Sequence, residues 1–325
     1  MKNWLLSENA AAVLVFAVLA GLPLVISGYP IYILPQYLLF GVLALSLGLL
    51  WGFVGILSFG QAAFFALGAY AMGLITQAGV GWPVNAAYVA LPAAALLGAG
   101  LAALAGYFLF SAGVRATYFV LVTLALSIMC EQIAVSQSTL TGGWNGLFIN
   151  RMDLTFGPLG TVSLYGDNAF YYFILPVVAL LYVISRWLMG SRFGKVLVGI
   201  RENEDRLTAL GFNVTIYKTA AFALSGALAG LAGALYGTQA NFVAPSLAGV
   251  LFSTEVVVWV AIGGRSSLLG ALLGGVLVAS LSNYLSSITP QYWQLIQGLI
   301  FIAVIVYFQD GLAGAVARLT QRRSA

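Results

Sequence analysis

Apolar runs of about 20 residues recur from one end of the chain to the other, and no other feature restricts its fold as severely. Each run is long enough to cross roughly 30 Å of hydrocarbon as a helix. Helices suit that medium because they satisfy their own backbone hydrogen bonds where no water is present. Candidate spans fall near residues 10–27, 33–51, 61–77, 84–110, 116–136, 169–187, 218–239, 248–263, 268–286 and 292–310. The fourth is longer than a crossing needs and has room to tilt or bend. Only 7% of the residues are charged, against roughly 25% in soluble domains. That is too little polar surface to cover a water-facing globule. The expected fold is therefore all-α, a polytopic membrane protein of about ten transmembrane helices. Residues 1–325 form a single transmembrane unit without a separate soluble domain. Lys2 ahead of an apolar stretch has the look of a signal peptide, but spanning runs follow at once, so a retained first helix is expected.

The basic residues set the orientation, since cytoplasmic loops carry the excess of Lys and Arg. Six of the thirteen lie in one stretch: Arg186, Arg192, Lys195, Arg201, Arg206 and Lys218. With the loop 188–217 placed in the cytoplasm, counting spans outward also puts Lys2, Arg115, Arg265, Arg318, Arg322 and Arg323 inside. Only Arg151 falls outside, in the long loop 137–168. Both termini are then cytoplasmic.

Absences narrow the chemistry. There is no histidine, which removes imidazole acid–base catalysis and His-ligated metal or haem sites. Cys130 is the single cysteine and reads as a small packing residue. No cofactor or metal is expected, and the net charge of +4 reflects basic loops on one side of a membrane rather than nucleic-acid binding. Gly190-Ser-Arg-Phe-Gly194-Lys195-Val196 fails as a phosphate loop. That motif needs four residues between its glycines and Ser or Thr after the lysine, whereas here there are three and a valine. The chain is expected to be no enzyme and to have no nucleotide site of its own.

Four stretches stand out. In the charged loop, Ile200, Leu207 and Leu210 share one face at helical spacing, Glu202 and Arg206 form an i,i+4 pair, and Gly211 is placed to end the helix in a left-handed cap. A short amphipathic helix follows, either resting on lipid headgroups or docking a cytoplasmic partner. Three acidic positions weigh against anionic lipid. Next, glycines with Ser58 and Gln61 interrupt the apolar run 51–70, and broken backbone at membrane depth is tolerated only beside protein or a water-filled cavity. Ordinary small-residue packing is the competing reading. Third, Thr141-Gly142-Gly143-Trp144-Asn145-Gly146 is a tight irregular turn holding an aromatic anchor. Last, Gly226/Gly230, Gly233/Gly237 and Gly270/Gly274 carry the small-xxx-small spacing of closely packed helices. Near them, Glu255 lies about a third of the way into its span, where an ionisable group costs roughly 2.5–3.5 kcal/mol on insertion scales. Glu131 reads as interfacial.

These stretches resemble a known family. Asp205 to Gly211 reads D-R-L-T-A-L-G, similar to a degenerate E-A-A-x-x-x-G loop of ABC importer permeases. The preceding S-R-F-G-K-V-L-V-G-I-R-E-N-E resembles the loop of the M-type branched-chain amino acid permeases, and the likeness runs in order from about residue 35 to 312. The resemblance implies a coupling helix at 199–211 that sits on an ATPase, with Arg201, Glu202, Asp205, Arg206 and Gly211 in that role. It implies that G-x-L-S-x-G-Q-A-A-F-F-x-x-G-A-Y, with Ser58 and Gln61, borders the translocation path. It also implies that Thr141, Gly142, Gly143, Trp144, Asn145 and Gly146 face a periplasmic or lipid-anchored solute-binding protein. Glu255 stands between helix–helix hydrogen bonding and lining the path. Trp51-Gly-Phe and S-T-E-V-V-V-W-V-A-I-G-G-R resemble the urea and short-chain amide branch as well. The implied partners are a second homologous permease, two cytoplasmic ATPase subunits, a binding protein and membrane lipid, in the bacterial inner membrane. The rival class is an ion-gradient-driven secondary transporter or channel, which would want intramembrane carboxylates such as Glu255.

Overall fold

Where hydrocarbon offers the backbone no partners, a chain this apolar resolves into helices, and helices make up most of what is observed. A computed structural model describes residues 2–80, 85–114, 116–155, 161, 162, 164, 166–307, 311 and 314. Arg115, Arg318, Arg322 and Arg323, used above for orientation, lie outside the described residues, as do positions 84 and 308–310 of two predicted spans.

The elements run α1 (Lys2–Val25), α2 (Tyr29–Leu49), a π-helical turn (Leu50–Val54), α3 (Gln61–Ala78), α4 (Ala86–Ser111), α5 (Ala116–Ser136) and α6 (Ser138–Thr141). Two-residue strands β1 (Leu147–Phe148), β2 (Leu154–Thr155) and β3 (Thr161–Val162) precede α7 (Asp167–Gly190). There follow α8 (Arg192–Glu202), α9 (Glu204–Ala209), α10 (Val214–Ala240), β4 (Phe242–Val243), α11 (Val250–Gly263), α12 (Leu268–Ile288) and α13 (Trp293–Tyr307). Among the described residues, seven helices are long and apolar enough to cross a membrane. Helices α3, α11 and α13 fill the other three predicted segments and are shorter, at 18, 14 and 15 residues. The chain is an all-α polytopic membrane protein.

Burial ranks the helices. The α2 span is 89% buried inside the chain and α1 only 6%, so α2 is the axis and α1 a peripheral strut. Helices α7, α10, α11 and α12 surround α2. Phe40 on α2 centres an aromatic cluster, 5.3 Å from Tyr236, 5.5 Å from Phe252 and 5.2 Å from Trp259 between ring centroids. A buried pair ties α1 in: Arg186 donates to Glu8 at 2.7 Å, and Glu8 also accepts from Ser267, which caps α12, at 2.7 Å.

The small-residue spacings bring backbones into contact. A Cβ at Gly98 of α4 would stand 2.3 Å from the Gly226 carbonyl oxygen, and one at Gly68 of α3 would stand 2.0 Å from that of Gly230. Helices α3 and α4 thus lie on α10 with no side chain between them.

Candidate coupling and pathway sites

The charged loop folds as two helices rather than the single one its apolar spacing predicts. Ser191 caps α8, accepting from Phe193 N–H at 3.2 Å, and buried Leu197 and Ile200 hold α8 to the bundle. The helix stops at Asn203, whose extended backbone (φ −161°) is incompatible with continuation. Its side chain then caps α9, accepting from Arg206 N–H at 2.9 Å. Asn is a favoured cap because its short oxygen reaches the unpaired amides of a first turn. The break re-pairs the charges: Arg201 bonds Glu202 at 2.7 Å and Lys218 bonds Glu204 at 2.5 Å, so the Glu202–Arg206 pair does not form. Gly211 adopts φ +87° and closes α9, with Phe212 N–H donating to Leu207 O at 3.1 Å. Leu210 is 68% exposed, whereas Ile200, with which it shares helical spacing, is buried. Glu202, Asp205 and Arg206 are also exposed.

Arg201 is 38% exposed, but it alone of these charged residues also reaches the end of α2. Its guanidinium donates to the Gly52 carbonyl in the π-helical turn that ends α2. Gly52 lies in the last turn before the helix ends at Gly55, where carbonyls have no amide partner within the helix and are available to an outside donor. Gly55 then reverses the chain at φ +78°, and a Cβ there would stand 2.7 Å from Arg201 Cγ. Arg265 lies 6.0 Å over the Trp51 ring on the same turn. The charged loop is thereby keyed into the end of α2.

Beyond Gly55 the chain runs without helix to Gln61. Helix α5 supplies the missing partners: Phe59 N–H donates to Thr123 Oγ1 at 3.1 Å, and Ser127 Oγ donates to Phe59 O at 2.7 Å. Ser58 Oγ accepts from Gly60 N–H at 3.1 Å. Gln61 Nε2 donates to Ser225 Oγ on α10 at 2.9 Å, while Ser46 Oγ on α2 lies 3.1 Å from Gln61 Oε1. Ser58 and Gln61 are each 1% exposed, so in this conformation both are held between helices.

The turn 141–146 is built on three left-handed glycines, Gly142, Gly143 and Gly146, at φ +74°, +56° and +70°. Thr141 Oγ1 donates to Ala134 O and accepts from Gly143 N–H at 3.3 Å, fixing the turn to α5. Trp144 stands 78% exposed with Asn145 beside it. The following residues pair as β1 with β4, Leu147 opposite Val243, joining this loop to the connection before α11. No local signal in the sequence announced that pairing.

Glu255 on α11 lines a cavity of about 220 Å³ between α2, α11, α12 and the start of α13. The Glu131 carboxylate sits against Gly249 at the N-terminus of α11, 3.0 Å from where a Cβ would stand. Arg151, read as the lone external cation, lies 3.6 Å from Asp167 and 5.2 Å over the Phe170 ring.

A bundle of apolar helices with one charged loop keyed into a break between two of them is the architecture of a transport permease. Residues 29–305 match the family model described as "Branched-chain amino acid transport system / permease component", and the chain belongs to this family of ABC importer permeases. It is 27% identical to the high-affinity branched-chain amino acid transport system permease protein LivM of Salmonella typhimurium, over 93% of this chain and 73% of that protein. The probable branched-chain amino acid transport permease protein LivM of Methanocaldococcus jannaschii is 26% identical over 73% of this chain and 75% of its own. The ribose import permease protein RbsC of Haemophilus influenzae is 26% identical over 67% of each. No solved structure matches the chain. The protein is a multi-pass protein of the bacterial inner membrane.

Proposed function

We propose that this chain forms one half of the solute path of an ABC importer for a branched-chain amino acid or a related small solute such as urea or a short amide. It crosses the membrane ten times with both termini in the cytoplasm. Its single unit, 1–325, presents the loop 188–217 to the cytoplasm and the loop 137–168 outside. It works with a second homologous permease, two ATPase subunits and a solute-binding protein, and it has no nucleotide site of its own.

The observation that carries this reading is the junction at Arg201. A charged loop on the bundle's surface reaches, through one guanidinium, the carbonyl that ends α2, immediately before the interruption leading to Gln61. A push on α8 and α9 by an ATPase is delivered there. Exposed Glu202, Asp205 and Arg206 meet the ATPase, and Gly211 holds α9 in shape. Ser58 and Gln61 border the path at the interruption, with Glu255 further along it. Thr141, Gly142, Gly143 and Gly146 shape the turn that offers Trp144 and Asn145 to the binding protein.

The test is ATP hydrolysis by the reconstituted assembly with its loaded binding protein, against branched-chain amino acids, urea and short amides. One class should raise the rate several-fold, and Arg201→Ala should lower that stimulation while the complex stays assembled. No association with ATPases, together with transport that follows a proton or sodium gradient, would replace this reading with the gradient-driven one.

A further inference from the structure

We propose that an anionic phospholipid of the cytoplasmic leaflet docks on this chain, with an acyl chain laid in the groove between α4, α7 and α10 and its phosphate held by Arg192 and Lys195 of α8. From the importer reading the proposal takes only the placing of the charged loop in the cytoplasm.

The groove comes first. It encloses about 390 Å³ and is lined by apolar side chains alone, among them Ala99 on α4, Leu188 on α7, and Ala220, Ala223 and Ala227 on α10. Alanines at i, i+3 and i+7 share one face of a helix, and their short side chains leave a furrow along α10. At the end nearest the charged loop, Phe193 of α8 completes the lining, stacked on Tyr217 of α10 with ring centroids 5.8 Å apart. Beside the groove stand Leu96, one turn from Ala99, and Trp187, next to Leu188, exposed by 72% and 71%. On a membrane-spanning bundle such residues face acyl chains. Trp187 lies at the end of α7 that leads into the charged loop, where an interfacial indole belongs. The groove therefore opens to hydrocarbon close to headgroup level.

Charge names the occupant. Arg192 directly precedes Phe193, and Lys195 lies one turn beyond Arg192 on the same face. Both are exposed, and neither enters an ion pair among the described residues. The acids of the loop come later, Glu202 at the end of α8 and Glu204 and Asp205 in α9. Glu202 and Glu204 are already taken up by Arg201 and Lys218. The first turns of α8 are thus purely basic, and the mixed charges begin only where the helix breaks. A helix from another subunit would fill the groove but leave two cations unmatched. A fatty chain tethered to a phosphate matches the apolar furrow and the cations together. Long basic side chains reach headgroups while their methylenes lie along apolar surface, and Arg offers paired donors to phosphate oxygens. Each such charge near the membrane surface strengthens anionic-lipid binding about fivefold.

The experiment titrates the full-length chain in neutral detergent with phosphatidylglycerol and with phosphatidylcholine of the same acyl chains, reading bound lipid by native mass spectrometry. Phosphatidylglycerol should bind at least about tenfold more tightly. Arg192→Gln combined with Lys195→Gln should remove that preference, and Ala223→Phe, which fills the groove, should weaken phosphatidylglycerol by a similar factor with the charges in place. Should Ala223→Phe fail to fold, the site is read in the unaltered chain. There a phosphatidylglycerol with a photoactivatable diazirine in its acyl chain should attach mainly to residues 184–188 and 220–227, in the lone chain and in the assembled importer alike. Equal binding of the two lipids, a preference that survives loss of both charges, full affinity in a folded Ala223→Phe chain, or attachment spread over all the apolar helices would each overturn the proposal. Attachment that vanishes on assembly would overturn it too and make the groove a contact between subunits. None of these readouts uses ATP, so their failure leaves the importer reading intact.

Discussion

At the scale of single residues, Gln61 shows how a polar side chain is tolerated deep among helices. Its amide donates to Ser225, while the serines have carbonyl partners of their own: Ser46 donates to Leu43 O at 2.7 Å and Ser225 to Ser46 O at 2.7 Å. Removing the amide leaves both hydroxyls satisfied, whereas removing the Ser225 hydroxyl strands a buried amide N–H. The costs are accordingly asymmetric. Gln61→Leu should shift stability by less than about 1 kcal/mol and Ser225→Ala should lower it by about 1–3 kcal/mol. Thermal unfolding of the two variants in one lipid environment checks the order, and the reverse order would mean the network is not formed. The sequence displayed Gln61 as an interruption of an apolar run. It did not display the partners, because Ser225 lies 164 residues away and meets Gln61 only after α10 packs.

Among elements, the division of α8 from α9 is the most consequential departure from the sequence reading. Ile200, Leu207 and Leu210 keep helical spacing through Asn203, and that periodicity hid the break. A signal was present: Asn203 followed by Glu204 and Asp205 is a cap with acids in the first turn. Asn203→Ala should cost α9 about 1 kcal/mol. Hydrogen exchange would then speed up across residues 204–209 and stay unchanged in α8, while equal change in both would show a single helix after all. The apolar runs were far more legible, since a helix overlaps each predicted segment within the described residues. Their signal is local, repeated over a whole crossing, and needs no distant partner. The β1–β4 pairing and the Arg201–Gly52 contact join residues about a hundred or more positions apart and leave no such trace.

For the whole molecule, the inferred topology assigns the exposed Trp144 and Leu210 to opposite membrane faces. In a Cys130→Ser background, Trp144→Cys should react with an impermeant maleimide from the periplasmic side and Leu210→Cys only after the membrane is opened. Labelling of both from one side would require a different number of crossings. Legibility at this scale was uneven: α2 and α1 are both apolar runs in the sequence, yet one is the axis and the other a strut. What separates them is how many neighbours each acquires. The contact of α3 and α4 on α10 carries a mechanical corollary. Where carbonyl oxygens stand within van der Waals reach of glycine backbones, no rotamer is left to absorb a displacement. Those three helices make a stiff slab, and under the coupling role proposed for Arg201 a stroke entering there would be taken up in the unwound link from Gly55 to Gly60, the elbow between the slab and α2.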